Sequence, residues 1–158
     1  MADILFQSTV KTPIGAFFFS HDGSSVVEAG LCSGDKADFL HKDPLSQTVE
    51  KAIQSYFYEY CSGALQCLPL RPKGTLFQQK VWQALCEIPT GQVRTYGDLA
   101  KILQTAPRAI GQACRSNPIM LLIPCHRVVA QNGLGGFMGK SERISLKESL
   151  LHHERCFT

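Results

Sequence analysis

A cysteine and a histidine stand side by side at Cys125 and His126, directly after an apolar run over residues 119–123. A thiol attacks as a nucleophile only in its thiolate form, so a buried one needs a nearby base or positive charge. Because consecutive side chains of a strand point to opposite faces, His126 can assist Cys125 only if the chain leaves the strand at Pro124 and turns. The pair indicates either a nucleophile with its base or a small buried thiol beside an unrelated histidine.

The second half of the chain, which carries this pair, is predicted to be mainly helical. Thr75 can cap its first helix, whose apolar stripe comprises Phe77, Val81 and Leu85. We expect Trp82, on the same helix, to lie in the core.

Two shorter helices joined by a turn follow. Thr95 can cap the first, and residues 104–107 form a turn before a second helix that starts at Arg108. This is the helix-turn-helix arrangement, whose second helix usually enters the major groove of DNA. Small residues make this second helix slim, which suits close approach either to a narrow groove, through sugar and phosphate, or to another helix. They are Ala109, Gly111, Ala113 and Ser116.

The first third of the chain is predicted to form short strands. Apolar runs over residues 6–10 and 16–20 flank a turn signal at residues 12–15, and residues 25–30 can form a third strand. A helical stretch begins near Asp43, with apolar residues three and four positions apart on one face. They are Val49, Ile53, Phe57 and Tyr60.

A connector at residues 68–74, containing proline and glycine, separates these two parts. We therefore predict an α/β N-terminal support domain over residues 1–72 and a catalytic, DNA-binding domain over residues 73–158. A chain of 158 residues is long enough for two small domains that share a core.

The composition is that of a globular protein, with 44% hydrophobic and 18% charged residues. No apolar stretch approaches the roughly 20 residues that span a bilayer, and the N-terminus lacks the features of a signal peptide. We expect the protein in the cytoplasm, or in the nucleus of a eukaryote. The seven cysteines are scattered without a C-x-x-C pair, which argues against a disulfide framework and a compact metal site.

The formal net charge of +3 is compatible with a nucleic-acid partner if the basic residues share one face. The alternative is a solvated surface of mixed sign. The candidates for a basic face are Arg94, Lys101, Arg108, Arg115, Arg127, Lys140 and Arg143.

Several motifs in order resemble the O6-alkylguanine-DNA alkyltransferase family. The Pro-Cys-His-Arg-Val sequence is similar to the family's active-site signature, and Asn117-Pro118 lies upstream at the family's spacing. Further segments resemble its two DNA-side helices and the first and last helices of its catalytic domain. These segments are residues 95–100, 107–117, 77–82 and 147–154.

The resemblance implies an α/β N-terminal domain, with a small antiparallel sheet of ribonuclease-H-like type, packed on a mainly α-helical domain with a helix-turn-helix. It also implies a suicidal DNA repair methyltransferase. Such a protein flips O6-alkylguanine out of double-stranded DNA from the minor groove; whether it also acts on O4-alkylthymine stays open. It moves the alkyl group irreversibly to Cys125 without a cofactor. We expect a monomer; cooperative binding along DNA stays open. Some relatives hold zinc in the N-terminal part, but no matching ligands are evident in this sequence.

By the same resemblance, His126 acts as the base through a water molecule, and Glu154 orients it. Tyr96 donates to the leaving guanine, and Lys147 supports that proton transfer. Asn117 holds the turn that carries the cysteine, as asparagine side chains in turns commonly do.

Arg108 matches the arginine that fills the gap left by the flipped base. The other expected DNA contacts are Thr95, Tyr96, Ala109, Gly111, Ala113 and Arg115. In the loop after the signature many relatives carry a tyrosine followed by a serine, whereas this chain has Phe137 and Met138, and residues 140–143 resemble a short insertion. The expected pocket residues are Val128, Phe137 and Met138.

The sequence leaves three alternative functions open. A lesion-binding relative without repair activity would lack the cysteine. A transcription regulator would need a helix richer in base-reading side chains. A cysteine hydrolase would share Cys125 and His126 but would not explain Arg108.

Overall fold

The computed structural model describes residues 5–34, 38–137 and 143–155. The chain forms two compact units. The first runs up to Lys73 and includes Pro118–Leu122, and the second comprises residues 74–117 and those from Ile123 onward. Met138 and most of the expected insertion at residues 140–143 lie outside the described residues. Within the described ranges no helix is both long and apolar enough to cross a membrane.

The first unit contains an antiparallel three-stranded sheet in the order β1-β2-β3, which confirms the three predicted strands. Val10 pairs with Phe17, and Thr12 pairs with Gly15 across a tight turn where Gly15 adopts a φ of 121°. That φ is open to glycine and costly for other residues. Phe17 and Phe19 are buried on one face, because side chains alternate along a strand. The strands are β1 (Phe6–Thr12), β2 (Gly15–His21) and β3 (Val26–Leu31).

The same unit contains α1 (Pro44–Tyr58) and the short α2 (Gly63–Gln66). Asp43 caps α1 by accepting a hydrogen bond from the Ser46 N–H at 2.9 Å. Three of the four residues predicted for the apolar face are buried, but the prediction for Tyr60 is wrong. Tyr60 follows the end of the helix, has a φ of 52° and is 50% exposed.

Polar side chains join the end of β2 to the start of α1. His21 Nε2 lies 2.8 Å from Ser46 Oγ and 3.0 Å from Asp43 Oδ1. His21 Nδ1 accepts from the Gly23 N–H, so the hydrogen of the neutral ring is on Nε2. Ser46 Oγ in turn donates to Asp43 Oδ2 at 2.7 Å. The buried His21 and Ser46 side chains are therefore satisfied inside the unit, and the cluster anchors the helix to the sheet.

The apolar run before the cysteine does not form the expected continuous strand. Ile119 makes one parallel bridge beside Ala29, whose N–H donates to Pro118 O while its carbonyl accepts from the Met120 N–H. Leu121 then adopts a φ of 73°, which a strand cannot contain. The chain therefore leaves extended geometry before the proline.

In the second unit, α3 (Leu76–Cys86) begins with a capping box between Thr75 and Gln78, as the predicted cap requires. Trp82 is buried, and its Nε1–H donates to the carbonyl of Ala113 at 2.8 Å. Phe77, expected in the apolar stripe, is 38% exposed instead. The buried face of α3 thus follows Val81 and Trp82, and one hydrogen bond fixes α3 against a later helix.

Two helices joined by a turn follow, α4 (Tyr96–Leu103) and α5 (Pro107–Arg115). A capping box at Thr95 begins α4. Gln104 ends α4 in the left-handed conformation, and α5 starts one residue earlier than predicted because proline suits the first helical position. Short parallel strands β4 (Arg94–Thr95) and β5 (Val128–Val129) bring the start of α4 beside the cysteine turn. The last helix is α6 (Ile144–Arg155).

Candidate active site

Cys125 opens a single 3-10 turn, Cys125–Arg127, directly after Pro124. The predicted tight turn is thus present. Asn117 Nδ2 donates to Ile123 O at 2.9 Å and to Cys125 Sγ at 3.2 Å. One amide group therefore holds both the backbone before the turn and the sulfur inside it.

The thiol of Cys125 is only 4% exposed. Burial raises its pKa to about 11, against the opposing effects of the Asn117 hydrogen bond and the Lys147 charge. At neutral pH the resting sulfur is therefore a thiol. Any reaction at this sulfur must remove its proton, which requires a base nearby.

His126 is buried, and its Nε2 lies 2.6 Å from Glu154 Oε1. Burial lowers the pKa of His126, although Glu154 acts in the opposite direction, so the ring is neutral at pH 7. An ionised carboxylate can only accept, so Nε2 carries the hydrogen and Nδ1 presents a lone pair. Within the described residues Nδ1 is buried and has no hydrogen-bond partner. The ring is thus prepared to accept a proton at Nδ1.

Glu154 is completely buried at the end of α6. Burial alone raises the pKa of a carboxyl group, but the hydrogen bonds from His126 and Arg127 and the positive charge of Arg127 hold the pKa of Glu154 well below its usual range. The carboxylate is therefore ionised across the physiological pH range and fixes the tautomer of the histidine.

Arg127 is the site residue whose role the sequence reasoning missed. It was expected on a basic, DNA-facing surface but is only 5% exposed. Its Nε donates to Glu154 Oε2 and its Nη2 to Glu154 Oε1, both at 2.9 Å, in a two-pronged pair. It also donates to Ile88 O at 2.7 Å and to Thr90 Oγ1 at 3.1 Å. A charge in the sequence does not reveal burial, and its partner lies 27 residues away.

Tyr96 and Lys147 meet on another side of the site. Lys147 Nζ donates to Gly136 O at 2.9 Å and lies 5.8 Å from the centre of the Tyr96 ring. Burial lowers the pKa of Lys147 and raises the pKa of Tyr96 to about 12. The phenol therefore stays protonated and can donate. Gly135, at a φ of 73°, leaves room for this ring, because a Cβ there would lie 3.0 Å from it.

A pocket of about 380 Å³ opens between α4, α5 and the loop after β5. It brings together four of the predicted residues, Tyr96, Arg108, Gly111 and Arg115. Cys114, which no motif singled out, also lines it, and burial and the neighbouring Cys125 raise the pKa of Cys114 to about 12. The remaining lining residues are Pro107, Gln112 and Gly136.

The other predicted contacts lie outside the pocket lining. Ala113 is buried and its carbonyl receives the Trp82 hydrogen bond, so this small residue serves helix packing. Val128 and Phe137 are also buried. Thr95 caps α4, and Ala109 is half-buried.

Comparison with known proteins agrees with this geometry. Residues 76–156 match the family model described as 6-O-methylguanine DNA methyltransferase, DNA binding domain. The chain is 41% identical over 159 residues to a methylated-DNA–protein-cysteine methyltransferase of Methanosarcina mazei, covering 95% of this chain and 97% of that protein. A protein of the same name from Metallosphaera sedula is 46% identical, with 92% of this chain and 90% of that protein covered.

Solved structures show the same similarity. The crystal structure of Mycobacterium tuberculosis O6-methylguanine methyltransferase superimposes with a TM-score of 0.79 at 28% identity, covering 98% of this chain and 95% of that one. A structure of Mycobacterium tuberculosis OGT in complex with DNA gives a TM-score of 0.76 at 29% identity, with 96% and 94% covered. The fold and the cysteine turn thus define a DNA alkyltransferase class. The chain belongs to the methylated-DNA–protein-cysteine methyltransferase family, which confirms the resemblance found in its motifs.

Proposed function

We propose that this protein repairs DNA by transferring the alkyl group of O6-alkylguanine to its own Cys125. One observation carries the proposal: next to the buried thiol stands a neutral histidine, held by Glu154, whose Nδ1 lone pair is free among the described residues. The names of the relatives and the DNA-bound neighbour support the same substrate class.

The chemistry follows from the protonation states. A water molecule passes the proton of Cys125 to His126 Nδ1, and the resulting imidazolium is stabilised by Glu154. The sulfur attacks the alkyl carbon in line, the S–C bond forms, and the bond from that carbon to guanine O6 breaks. The product is a thioether, which neither water nor a thiol readily cleaves. Each molecule therefore reacts once.

The leaving guanine gathers negative charge, which a nearby donor stabilises. Tyr96 is protonated and lines the pocket beside α5, so its hydroxyl is the donor we assign. Lys147, over the Tyr96 ring, supports the return of a proton to the phenol. Asn117 keeps the sulfur aligned for attack through its hydrogen bond to Sγ.

We further propose that α4 and α5 act as a helix-turn-helix, with α5 in the minor groove of double-stranded DNA. Arg108, at the start of α5, takes the place of the flipped base, while Gly111 allows close approach and Arg115 pairs with phosphate. Thr95 and Ala109 approach the backbone.

The sheet of the first unit is of ribonuclease-H-like type in this proposal, and the unit has a supporting role. The boundary between the support domain and the catalytic domain lies near residue 72. The protein would act as a monomer, in the cytoplasm or in a eukaryotic nucleus. We assign Phe137 and Val128, both buried, to an apolar wall for the alkyl group.

Intact-mass measurement after incubation with an O6-methylguanine duplex tests the proposed function. We expect a gain of one methyl group per molecule, located on the Cys125 peptide, with no further gain on longer incubation. A bound duplex with unchanged protein mass would instead support a lesion-binding protein without repair activity.

The flipping role predicts a substrate-dependent effect of Arg108→Ala. On duplex DNA we expect the transfer rate to fall about tenfold to hundredfold, because nothing fills the gap left by the base. With free O6-methylguanine as the substrate the rate should stay close to that of the unaltered protein. Lys51→Ala, which removes an exposed positive charge from α1, is the matched control. Equal losses on both substrates would dismiss the flipping role.

A further inference from the structure

The outward face of α5 carries one long uncharged side chain between two arginines. Arg108, Gln112 and Arg115 are all exposed, and their spacing of four and three residues places them on one side of the helix. All three line the same pocket as Tyr96. Gln112 therefore lies on the surface that faces DNA in the proposed function.

The side-chain amide of Gln112 is not used by the described part of the chain. Its backbone carbonyl accepts from Ser116, but among the described residues its side chain makes no hydrogen bond. The Nδ2 of Asn117, by contrast, donates to two atoms of the cysteine turn. An exposed amide has one acceptor and two donors available for a ligand.

The minor groove presents a pattern that such an amide can read. Every base pair offers acceptors there, and only a G·C pair adds a donor, the guanine 2-amino group. The arginines beside Gln112 have donors only, so they cannot accept from that group. The Gln112 carbonyl oxygen can.

Helix geometry limits which base pair is within reach. Gln112 stands four residues after Arg108, about 6 Å along the helix axis, and base pairs stack about 3.4 Å apart. If Arg108 occupies the gap left by the lesion, Gln112 reaches a pair within about two steps of it.

We propose that Gln112 is a specificity-determining residue that accepts a hydrogen bond from the 2-amino group of a guanine flanking the lesion. This proposal rests on the proposed function, since it requires α5 in the minor groove beside a flipped base. This hydrogen bond makes the rate of repair depend on the base pairs that flank the lesion.

Duplexes that differ only in this amino group test the proposal. Guanine at the first or second position on either side of O6-methylguanine is replaced by hypoxanthine, which lacks the 2-amino group. Single-turnover transfer is then measured with the unaltered protein and with Gln112→Met, which keeps the length but not the amide. At one of these positions we expect the unaltered protein to slow about threefold to tenfold, as for one lost hydrogen bond. Gln112→Met should respond much less.

Hypoxanthine also pairs more weakly than guanine, but this affects the transfer rate of both proteins equally and cancels when their rates are compared. Gln83→Met, an exposed glutamine replaced on α3, should keep the full response of the unaltered protein. An equal response of Gln112→Met and the unaltered protein, or no response in either, would overturn the role of Gln112 alone. Failure of the unaltered protein to transfer a methyl group from any duplex would overturn the proposed function as well.

Discussion

Replacing Cys125 with alanine is expected to abolish alkyl transfer while leaving binding to the methylated duplex largely intact. The sulfur is the atom that forms the new bond, and in the structure it accepts a hydrogen bond from the side chain of Asn117. The substitution is small, and the turn keeps the hydrogen bond from Asn117 to Ile123 O. Intact mass measures transfer, and fluorescence anisotropy with labelled duplex measures binding.

Cys114→Ala is the matched control, because Cys114 is a second buried thiol near the same pocket. Burial and the neighbouring Cys125 raise its pKa to about 12, and no hydrogen bond of the described residues lowers it as Asn117 does for Cys125. We expect this variant to accept the methyl group normally. A methyl group found on another cysteine of Cys125→Ala would show that the assigned nucleophile is wrong.

Local interactions made much of the fold predictable from the sequence. The capping boxes at Thr75 and Thr95 depend on residue types three positions apart, so they can be identified without any tertiary information. The alternation that buries Phe17 and Phe19 is likewise local.

Features that depend on distant partners were not predictable in this way. Leu121 adopts a left-handed conformation, and the run before it joins the first unit by a bridge to Ala29, which lies 90 positions earlier in the sequence. Tyr60 and Phe77 fit a helical stripe by spacing, but burial is decided by what packs against them.

The residues of the candidate site likewise differ in whether the sequence alone could predict their role. The active-site motif predicted Cys125 and His126, and the resemblance over residues 147–154 predicted Glu154; the structure brings His126 and Glu154 within 2.6 Å. Arg127 belongs to the same motif, yet its positive charge suggested an exposed DNA contact. Only the position of α6 shows that this charge is required inside the protein, opposite a buried carboxylate.

Arg127→Met is therefore expected to lower the free energy of unfolding by about 3–5 kcal/mol at neutral pH. The variant keeps most of the buried volume but removes the two hydrogen bonds and the positive charge that Arg127 gives to the carboxylate of Glu154. Chemical denaturation at pH 7 measures the loss. Lys51→Met, at an exposed position of α1, is the matched control and should change stability little.

The pH dependence distinguishes a lost charge pair from poor packing. In the unaltered protein the pKa of Glu154 is held below its ordinary value of 4.5, so its contribution to stability is present above that pH and is lost as the pH falls. Without Arg127 the pKa of Glu154 is higher than in the unaltered protein, because one of the groups that oppose the effect of burial is gone, and protonation at low pH then relieves the buried charge. The stability difference between the two proteins should therefore shrink as the pH falls below about 5.

A second substitution separates the same two causes at neutral pH. Adding Glu154→Gln to Arg127→Met removes the buried negative charge that Arg127 no longer balances, so the double variant should recover part of the lost stability. It should not recover alkyl transfer, because a neutral amide stabilises the His126 imidazolium less than a carboxylate does. A difference in stability that is constant with pH, together with no recovery in the double variant, would show that Arg127 contributes through packing alone.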